Sequence, residues 1–367
     1  MARLFVAATV FAFSALFAGA DPVRIVFDTD MCGDYDDVGA LAVLNALADA
    51  GECEILAVVS SSRSSSALGM CEMINASYGR ADVPMGSPKG IGYVAPDEKK
   101  GVNAVFHSMV ADRRAALRYP NSDDAPDANE VYRRVLADSP DKSVTLCTVG
   151  FLTNIRRLLE TKGDPISPLG GRELVAKKVK AWYAMGGKIP EGVEYNLSRD
   201  AESSLLAVRD CPVPIYFVDF DLGVDVRTGI PVARRGVSAG PVSEAFSRCL
   251  KVWNEETRGR SSWDELTVLA AVRGWERYFG AVRGTMQMVD EKGLMPCDTS
   301  TDGPRFRKNR WSASEDGAHF LLVEKMPKKN LAEIVDELIA RPPVGKHGRS
   351  IPSTPSPSSG GAVVEPL

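Results

Sequence analysis

The strongest constraint on the fold is a repeated alternation of short β-branched segments with helical patterns. The predicted strands are 23–28, 55–60, 144–149, 178–185 and 215–218, and the predicted helices between the first of them are 38–50 and 67–78. Strands that alternate with helices form a parallel sheet whose faces are both covered by helices. The sequence therefore predicts an α/β fold built on an open, mostly parallel sheet.

The last predicted helix and the region after it set the end of the folded domain. Asn330 and Glu333 have the spacing of an N-cap and its capping-box partner, which predicts a helix over 331–340. Residues 342–367 are rich in Pro, Gly and Ser and lack apolar periodicity, which predicts a disordered tail. We expect a single Rossmann-like domain over 21–341.

The N-terminal residues 1–20 have the pattern of a signal peptide. Arg3 precedes an uncharged segment, 4–20, which ends in the small residues Ala18-Gly19-Ala20. The alternative is a membrane anchor, but a bilayer-spanning helix needs about 20 apolar residues and this segment is shorter. We therefore expect cleavage before Asp21, export to the periplasm or the medium, and no stable membrane insertion afterwards.

Composition excludes several classes of protein. The chain has 367 residues, with 44 Lys and Arg against 48 Asp and Glu, so its net charge is −4. A dedicated nucleic-acid-binding protein would have a basic face and a high pI. The seven cysteines include no CxxC pair, which argues against a zinc knuckle or a disulfide-dense scaffold. A small molecule is the expected partner.

An acidic loop carries the densest chemical signal. Between the first strand and the first helix the chain reads Asp28-Thr29-Asp30-Met31-Cys32-Gly33-Asp34-Tyr35-Asp36-Asp37. Ligands of open parallel sheets bind beyond the carboxyl ends of the strands, where this loop lies. Several hard oxygen ligands without His favour Ca²⁺ or Mg²⁺, and Ca²⁺ accepts the larger number. Cys32 is interpreted as a packing residue, and a solvated Asp-rich turn is the alternative for the whole loop.

Four motifs together resemble the inosine/uridine-preferring nucleoside hydrolase family, calcium-dependent enzymes that cleave the N-glycosidic bond of ribonucleosides. In chain order they are Asp28-Thr29-Asp30 with Asp36-Asp37, Gly150-Phe151-Leu152-Thr153-Asn154, Met185-Gly186-Gly187 followed by Glu194-Tyr195-Asn196, and Trp263-Asp264. The resemblance covers about 21–274. From Gly274 onward the chain looks like the C-terminal extension of a secreted, divergent subgroup.

The resemblance implies a calcium site and a general base. Calcium would be held by the side chains of Asp30, Asp37 and Asp264 and by the main-chain carbonyl of Val149. A bound cation lowers the pKa of its water, so Asp30 would deliver that water to the anomeric carbon as the catalytic base.

The resemblance also implies a set of substrate-binding residues. Asp36 would accept a hydrogen bond from the 2′-hydroxyl, and Glu194 and Asn196 would hold the remaining sugar hydroxyls. Carboxylates near the ring suit the positively charged transition state of glycosidic cleavage. Trp263 would stack on a purine base, as is inferred for purine-preferring members of the family. Family members commonly form dimers or tetramers, so a homo-oligomer is also expected.

The chain departs from the family at several positions. Trp263 stands where the best-known branch has the His that protonates the departing base. His107 is a candidate replacement, although a lone His is more often structural. Asp34 is an extra carboxylate, because the loop has two more residues than the commonest form. Arg63 would bind an anionic group or, as the preferred interpretation, pair with the acidic loop.

Two other functions remain open at this point. A haloacid dehalogenase-type phosphatase also ends its first strand in DxD, but it would leave the Glu194-Tyr195-Asn196 and Trp263-Asp264 motifs unexplained. A non-catalytic, calcium-dependent protein that binds ribosides or other cis-diol sugars would retain the metal site without a leaving-group acid. The hypothesis that accounts for all the motifs is an exported, Ca²⁺-dependent N-glycosidase that acts on ribonucleosides or related N-ribosides.

Overall fold

The computed structural model describes residues 21–90, 92–93, 100–289 and 307–344. The predicted signal peptide and positions 345–367 of the predicted tail lie outside these residues. Within the described ranges, every helix is too short or too polar to cross a bilayer.

The strands and helices alternate along most of the chain. The strands are β1 (Val23–Thr29), β2 (Cys53–Ser60), β3 (Met85–Gly86), β4 (Val144–Thr148), β5 (Val179–Met185), β6 (Glu191–Gly192), β7 (Ile215–Val218), β8 (Arg227–Thr228), β9 (Arg260–Ser261), β10 (Phe279–Val289), β11 (Lys308–Ala313) and β12 (His319–Glu324). The helices are α1 (Asp36–Asp49), α2 (Ala67–Ser77), α3 (Gly101–Asp112), α4 (Ala128–Asp138), α5 (Thr153–Glu160), α6 (Gly171–Lys178), α7 (Tyr195–Arg199), α8 (Ala201–Asp210), α9 (Phe220–Gly223), α10 (Ile230–Ala233), α11 (Pro241–Val252), α12 (Trp263–Arg273) and α13 (Lys328–Ile339).

One large sheet organises the domain. Its strand order is β3-β2-β1-β4-β5-β7-β12-β10-β11-β6, and the neighbours from β3 to β12 pair in parallel. Strands β10, β11 and β6 add an antiparallel edge. The open, mostly parallel Rossmann-like sheet predicted from the sequence is confirmed.

Helices cover both faces of this sheet. In β1, Ile25 and Phe27 belong to one apolar cluster and Val26 to a second cluster on the opposite face. Successive side chains of a strand point to opposite faces, so a strand buried on both sides is apolar throughout rather than alternating. This burial fixes the carboxyl end of β1, and with it the start of the acidic loop.

Two expectations about the C-terminal part are wrong. Helix α13 begins at Lys328 with Pro327 as its N-cap, so Asn330 lies in the first turn and does not cap the helix. The amide N–H of Leu331 already donates to the carbonyl of Pro327 at 3.2 Å. The region after Gly274 is also not a separate extension, because β10 and β12 are inner strands of the main sheet.

Candidate active site

The first Asp of the acidic loop is an internal anchor. Asp28 pairs in register with Val59 and Thr148 on the neighbouring strands. Its carboxylate accepts hydrogen bonds from Tyr132 Oη at 2.8 Å and Asn154 Nδ2 at 3.2 Å. Burial raises its pKa to about 7 although these bonds lower it. Asp28 therefore holds the loop to helices α4 and α5, outside the residues that line the cavity.

Three buried carboxylates converge beyond the ends of the strands. Asp36 and Asp37 lie in the first turn of α1 and Asp264 in the first turn of α12, and one oxygen from each lies within 4.8 Å of the other two. Burial, together with the charges of neighbouring carboxylates that include Asp30 and Asp34, raises the pKa of all three well above the usual range. Carboxylates this close are stable in ionised form only beside a cation. The donor set therefore fits a hard divalent cation such as Ca²⁺.

Asp30 and Val149 line the same cavity as this trio. Asp30 is buried, and burial together with the charge of Asp34 raises its pKa well above the usual value. The carbonyl of Val149 accepts a hydrogen bond from Asn196 Nδ2 at 3.0 Å. The closest carboxylate set thus contains Asp36, which the resemblance assigns to the sugar, while Asp30 lies beside it. The assignment of metal ligands and substrate contacts among these residues stays a prediction.

Gly150 allows the close approach that positions Asp30. A Cβ at this glycine would lie 2.4 Å from the backbone nitrogen of Asp30 and 2.6 Å from Ser61 Oγ. Real Cβ atoms do not approach backbone this closely, so only glycine fits between the ends of β1 and β4. The loop after β4 therefore fixes the backbone of the predicted base.

Glu265 is a buried acid that the sequence analysis did not single out. It follows Asp264 on α12, is fully buried, and neither carboxylate oxygen has a hydrogen-bond partner. Its Oε1 lies only 2.0 Å from the position that a Cβ at Gly39 would take, so α1 and α12 approach each other closely at this glycine. Burial and the charge of Asp36 raise its pKa. The only sequence signal for Glu265 is that it follows Asp264, so that two acidic residues stand together at the start of a helix.

Glu194 and Asn196, which are predicted to bind the sugar, line the same cavity. Glu194 caps α7, and its carboxylate accepts from the backbone N–H groups of Asn196 at 2.8 Å and Leu197 at 3.0 Å. Burial raises the pKa of Glu194, and these backbone donors oppose the shift. The carboxylate is therefore rigidly oriented, with Asn196 beside it in the cavity lining.

Aromatic rings and one arginine form the remaining wall. The cavity has a volume of about 330 Å³ and is lined by Asp30, Gly33, Asp34, Asp36, Asp37, Val149, Met185, Glu194, Tyr195, Asn196, Phe220, Trp253, Arg260, Trp263 and Asp264. The residues predicted to bind the metal, to bind the substrate and to act as the base are all in this lining. Trp263 packs beside Phe220 with ring centroids 5.4 Å apart, and its indole N–H donates to the Phe220 carbonyl at 2.8 Å.

The extra residues of the acidic loop are held by Arg260. Its guanidinium forms a bidentate ion pair with Asp34, with Nε 2.8 Å from Oδ1. Tyr35 next to Asp34 donates to Glu255 Oε2 at 2.5 Å. The preferred interpretation of Arg63 is therefore wrong, since Arg260 is the arginine that pairs with the loop, whereas the Nε of Arg63 is buried without a hydrogen-bond partner.

No histidine of the described residues lines the cavity. His107 lies on α3. His319 lies in β12, where its Nδ1 accepts from the backbone N–H of Met286 at 3.0 Å. Neither replaces the His that the resemblance places before Asp264. Cys32 has the packing position expected for it, buried with Sγ 3.3 Å from Ser66 Oγ.

The open sheet and the carboxylate-lined cavity at its carboxyl edge define an α/β protein with a site suited to a divalent cation and a small ligand. The sequence matches the family model of inosine-uridine preferring nucleoside hydrolases over residues 25–327. The chain belongs to this family, and its reaction class is N-glycosidic hydrolysis of nucleosides. The match also extends past Gly274, which agrees with the inner positions of β10 and β12.

Solved structures show the same fold at low sequence identity. The inosine-uridine preferring nucleoside hydrolase from Bacillus anthracis has 17% identity and a TM-score of 0.56, covering 86% of this chain and 99% of that one. The plant nucleoside hydrolase PpNRh1 has 18% identity and a TM-score of 0.59, covering 88% and 100%. The type III effector XopQ, solved with adenosine diphosphate ribose, has 15% identity and a TM-score of 0.62, covering 88% and 95%. No curated protein sequence matches the chain significantly.

Proposed function

We propose that this protein is a Ca²⁺-dependent hydrolase of ribonucleosides or closely related N-ribosides. The observation that carries the proposal is the buried trio of Asp36, Asp37 and Asp264 within 4.8 Å. A cation bound there would lower the pKa of a water and hold vicinal hydroxyls of a sugar. Carboxylate ligands without nitrogen or sulfur donors favour Ca²⁺ over zinc.

In this proposal Asp30 is the general base. It accepts a proton from the attacking water, so that the water oxygen bonds to the anomeric carbon as the bond to the base nitrogen breaks. Asp30 lines the same cavity as the trio, and a carboxylate beside a cation-bound water can take up the proton of that water as the new bond forms. Gly150 and the carboxyl end of β1 hold the Asp30 backbone in place.

Glu194 and Asn196 hold the sugar in this proposal. Glu194 and Asn196 are oriented by α7 before a ligand binds, so little side-chain entropy is lost on binding. The negative charge that surrounds the ribose would stabilise the positive charge that develops on the ring in the transition state. The aromatic wall at Trp263 and Phe220 is left for a planar base.

The test is release of ribose from a panel of purine and pyrimidine nucleosides by the chain without residues 1–20. We expect turnover by the wild-type protein, and loss of at least about 10³-fold in kcat for Asp30→Asn. Asp336→Asn is a matched control, because Asp336 is a partly buried carboxylate on α13 outside the cavity. Calcium binding without turnover on any nucleoside would instead support the non-catalytic riboside-binding protein.

Export through the N-terminal signal and assembly into a homo-oligomer are further parts of the proposal. The support for export is the sequence of residues 1–20. The support for an oligomer is the resemblance to a family that commonly forms dimers and tetramers. Cell fractionation and light scattering test the two statements separately.

A further inference from the structure

Cleavage of an N-glycosidic bond leaves an electron pair on a nitrogen of the departing base. A positive or hydrogen-bond-donating group beside that base lowers the barrier, because it is attracted more strongly to the departing anion than to the neutral substrate. Trp263 holds the position where the family's best-known branch has a histidine. Its only donor, the indole N–H, is already bonded to the Phe220 carbonyl at 2.8 Å. Trp263 therefore offers the base a flat surface but no proton or donor.

Arg260 is the one cationic side chain among the residues that line the cavity. It belongs to the short strand β9, three residues before α12 begins. Its guanidinium carbon lies 5.0 Å from the ring centroid of Trp263 and 4.6 Å from that of Trp253. The side chain is 15% exposed, so the guanidinium is largely withdrawn from bulk water yet open to the cavity.

The surroundings of Arg260 hold it in this position. Asp34 binds Nε and Nη2, and Glu255 Oε1 lies 3.5 Å from Nη1. Burial opposes the charge of the guanidinium, but Asp34, Asp36 and Glu255 outweigh that effect and raise its pKa. Arg260 therefore stays protonated throughout any reaction in the cavity, and it acts by charge and hydrogen bonding rather than by giving up its proton.

We propose that Arg260 is the leaving-group contact of this enzyme and lies beside the departing base when a nucleoside occupies the cavity. The inference rests on the proposed nucleoside hydrolysis. As the bond between the anomeric carbon and the base nitrogen breaks, the electron pair goes to the base, and Arg260 stabilises the resulting anion. Water supplies the oxygen to the anomeric carbon and its proton goes to Asp30. The base anion then takes a proton from solvent, so Arg260 is unchanged at the end.

Two substrates with different leaving groups test this role. Inosine has a poor leaving group that needs stabilisation, whereas p-nitrophenyl β-D-riboside releases a phenolate that is stable by itself. For Arg260→Gln we expect kcat/KM for inosine to fall by about 10²–10³-fold, the usual cost of removing one donor from a developing anion. For p-nitrophenyl riboside we expect a fall of less than about 10-fold, because this bond breaks without a donor. Arg260→Lys should recover part of the loss on inosine.

Arg258→Gln is the matched control. Arg258 also pairs with Glu255, at 2.9 Å, but its side chain is 60% exposed and it lies outside the cavity lining. We expect its kinetics on both substrates to equal those of the wild type. Equal losses on both substrates in Arg260→Gln would show that Arg260 only holds the acidic loop, and would overturn the inference. Wild-type protein that hydrolyses neither riboside would overturn the proposed function and this inference together.

Discussion

Replacing Asp264 with Asn should make the protein more stable than the wild type without metal, and less stable than the wild type when calcium is added. The substitution keeps the size of the side chain and removes one charge from the trio formed with Asp36 and Asp37. At a separation of at most 4.8 Å and an effective dielectric constant of about 20, each fully ionised pair repels by at least about 3.5 kcal/mol. The Asn side chain would remove two of the three pairs.

The measured gain in the free energy of unfolding should be smaller than the summed repulsion of the two pairs that the substitution removes. Burial and neighbouring negative charges raise the pKa of these carboxylates, which favours proton uptake in the metal-free protein and so relieves part of the repulsion. We therefore expect Asp264→Asn to stabilise the metal-free protein by about 1–3 kcal/mol. With calcium at 1,000 times its dissociation constant, the wild type gains about 4.1 kcal/mol, which exceeds the advantage of the variant, and the variant gains far less.

The assay is urea unfolding of both proteins, in chelator and in excess calcium. The variant should be the more stable protein in chelator and the less stable one in calcium. Asp336→Asn is the control. The Asp336 carboxylate lies outside the cavity lining and accepts a hydrogen bond from the Gly229 N–H at 2.7 Å, so the effect of this substitution on stability should not depend on calcium. Equal destabilisation of Asp264→Asn under both conditions would refute the assignment of the trio as a cation site.

Two further predictions concern the Asp30 backbone and acid stability. Gly150→Ala would bring a Cβ to 2.4 Å from the Asp30 nitrogen. We therefore expect a loss of about 1–3 kcal/mol in the free energy of unfolding and a fall in kcat. Unchanged kinetics would argue against the idea that this glycine positions the catalytic base. Burial lowers the pKa of His319 to about 4, so the stability that its neutral form contributes should be lost as pH falls from about 6.5 through 4, by about 3 kcal/mol in total. Urea unfolding between pH 7 and 4 should show that loss in the wild type and a smaller one in His319→Asn.

The parts of the fold that follow local patterns could be predicted from the sequence. The parallel strands are continuous β-branched segments because both of their faces are buried, and such segments are visible without knowledge of their neighbours. The antiparallel edge formed by β10, β11 and β6 was missed, since the pairing of these strands depends on contacts between distant parts of the chain. The start of α13 was misplaced because Pro327 ends the preceding segment and initiates the helix before the polar residue at 330.

The residues of the candidate site also fall into two groups, those that local sequence motifs predict and those that only the folded chain brings to the site. The carboxylates of the acidic loop and Asp264 lie in short motifs next to the ends of strands and helices, so spacing and family resemblance found them. Arg260 pairs with Asp34 across 226 positions of sequence, and Glu255 bonds Tyr35 across 220. No local pattern distinguishes such an arginine from those on the surface. The loop insertion identifies Asp34 as an extra carboxylate, and only the folded chain shows that Arg260 is its partner.

The most direct test of the central claim is to measure calcium binding and inosine hydrolysis in the same titration of metal-free protein. If the acidic cavity is a catalytic calcium site, one equivalent of calcium should bind and hydrolysis should rise in proportion to the occupied fraction. In Asp37→Ala, both signals should be lost together. Full hydrolysis in the presence of chelator, or wild-type calcium affinity in Asp37→Ala, would contradict the account.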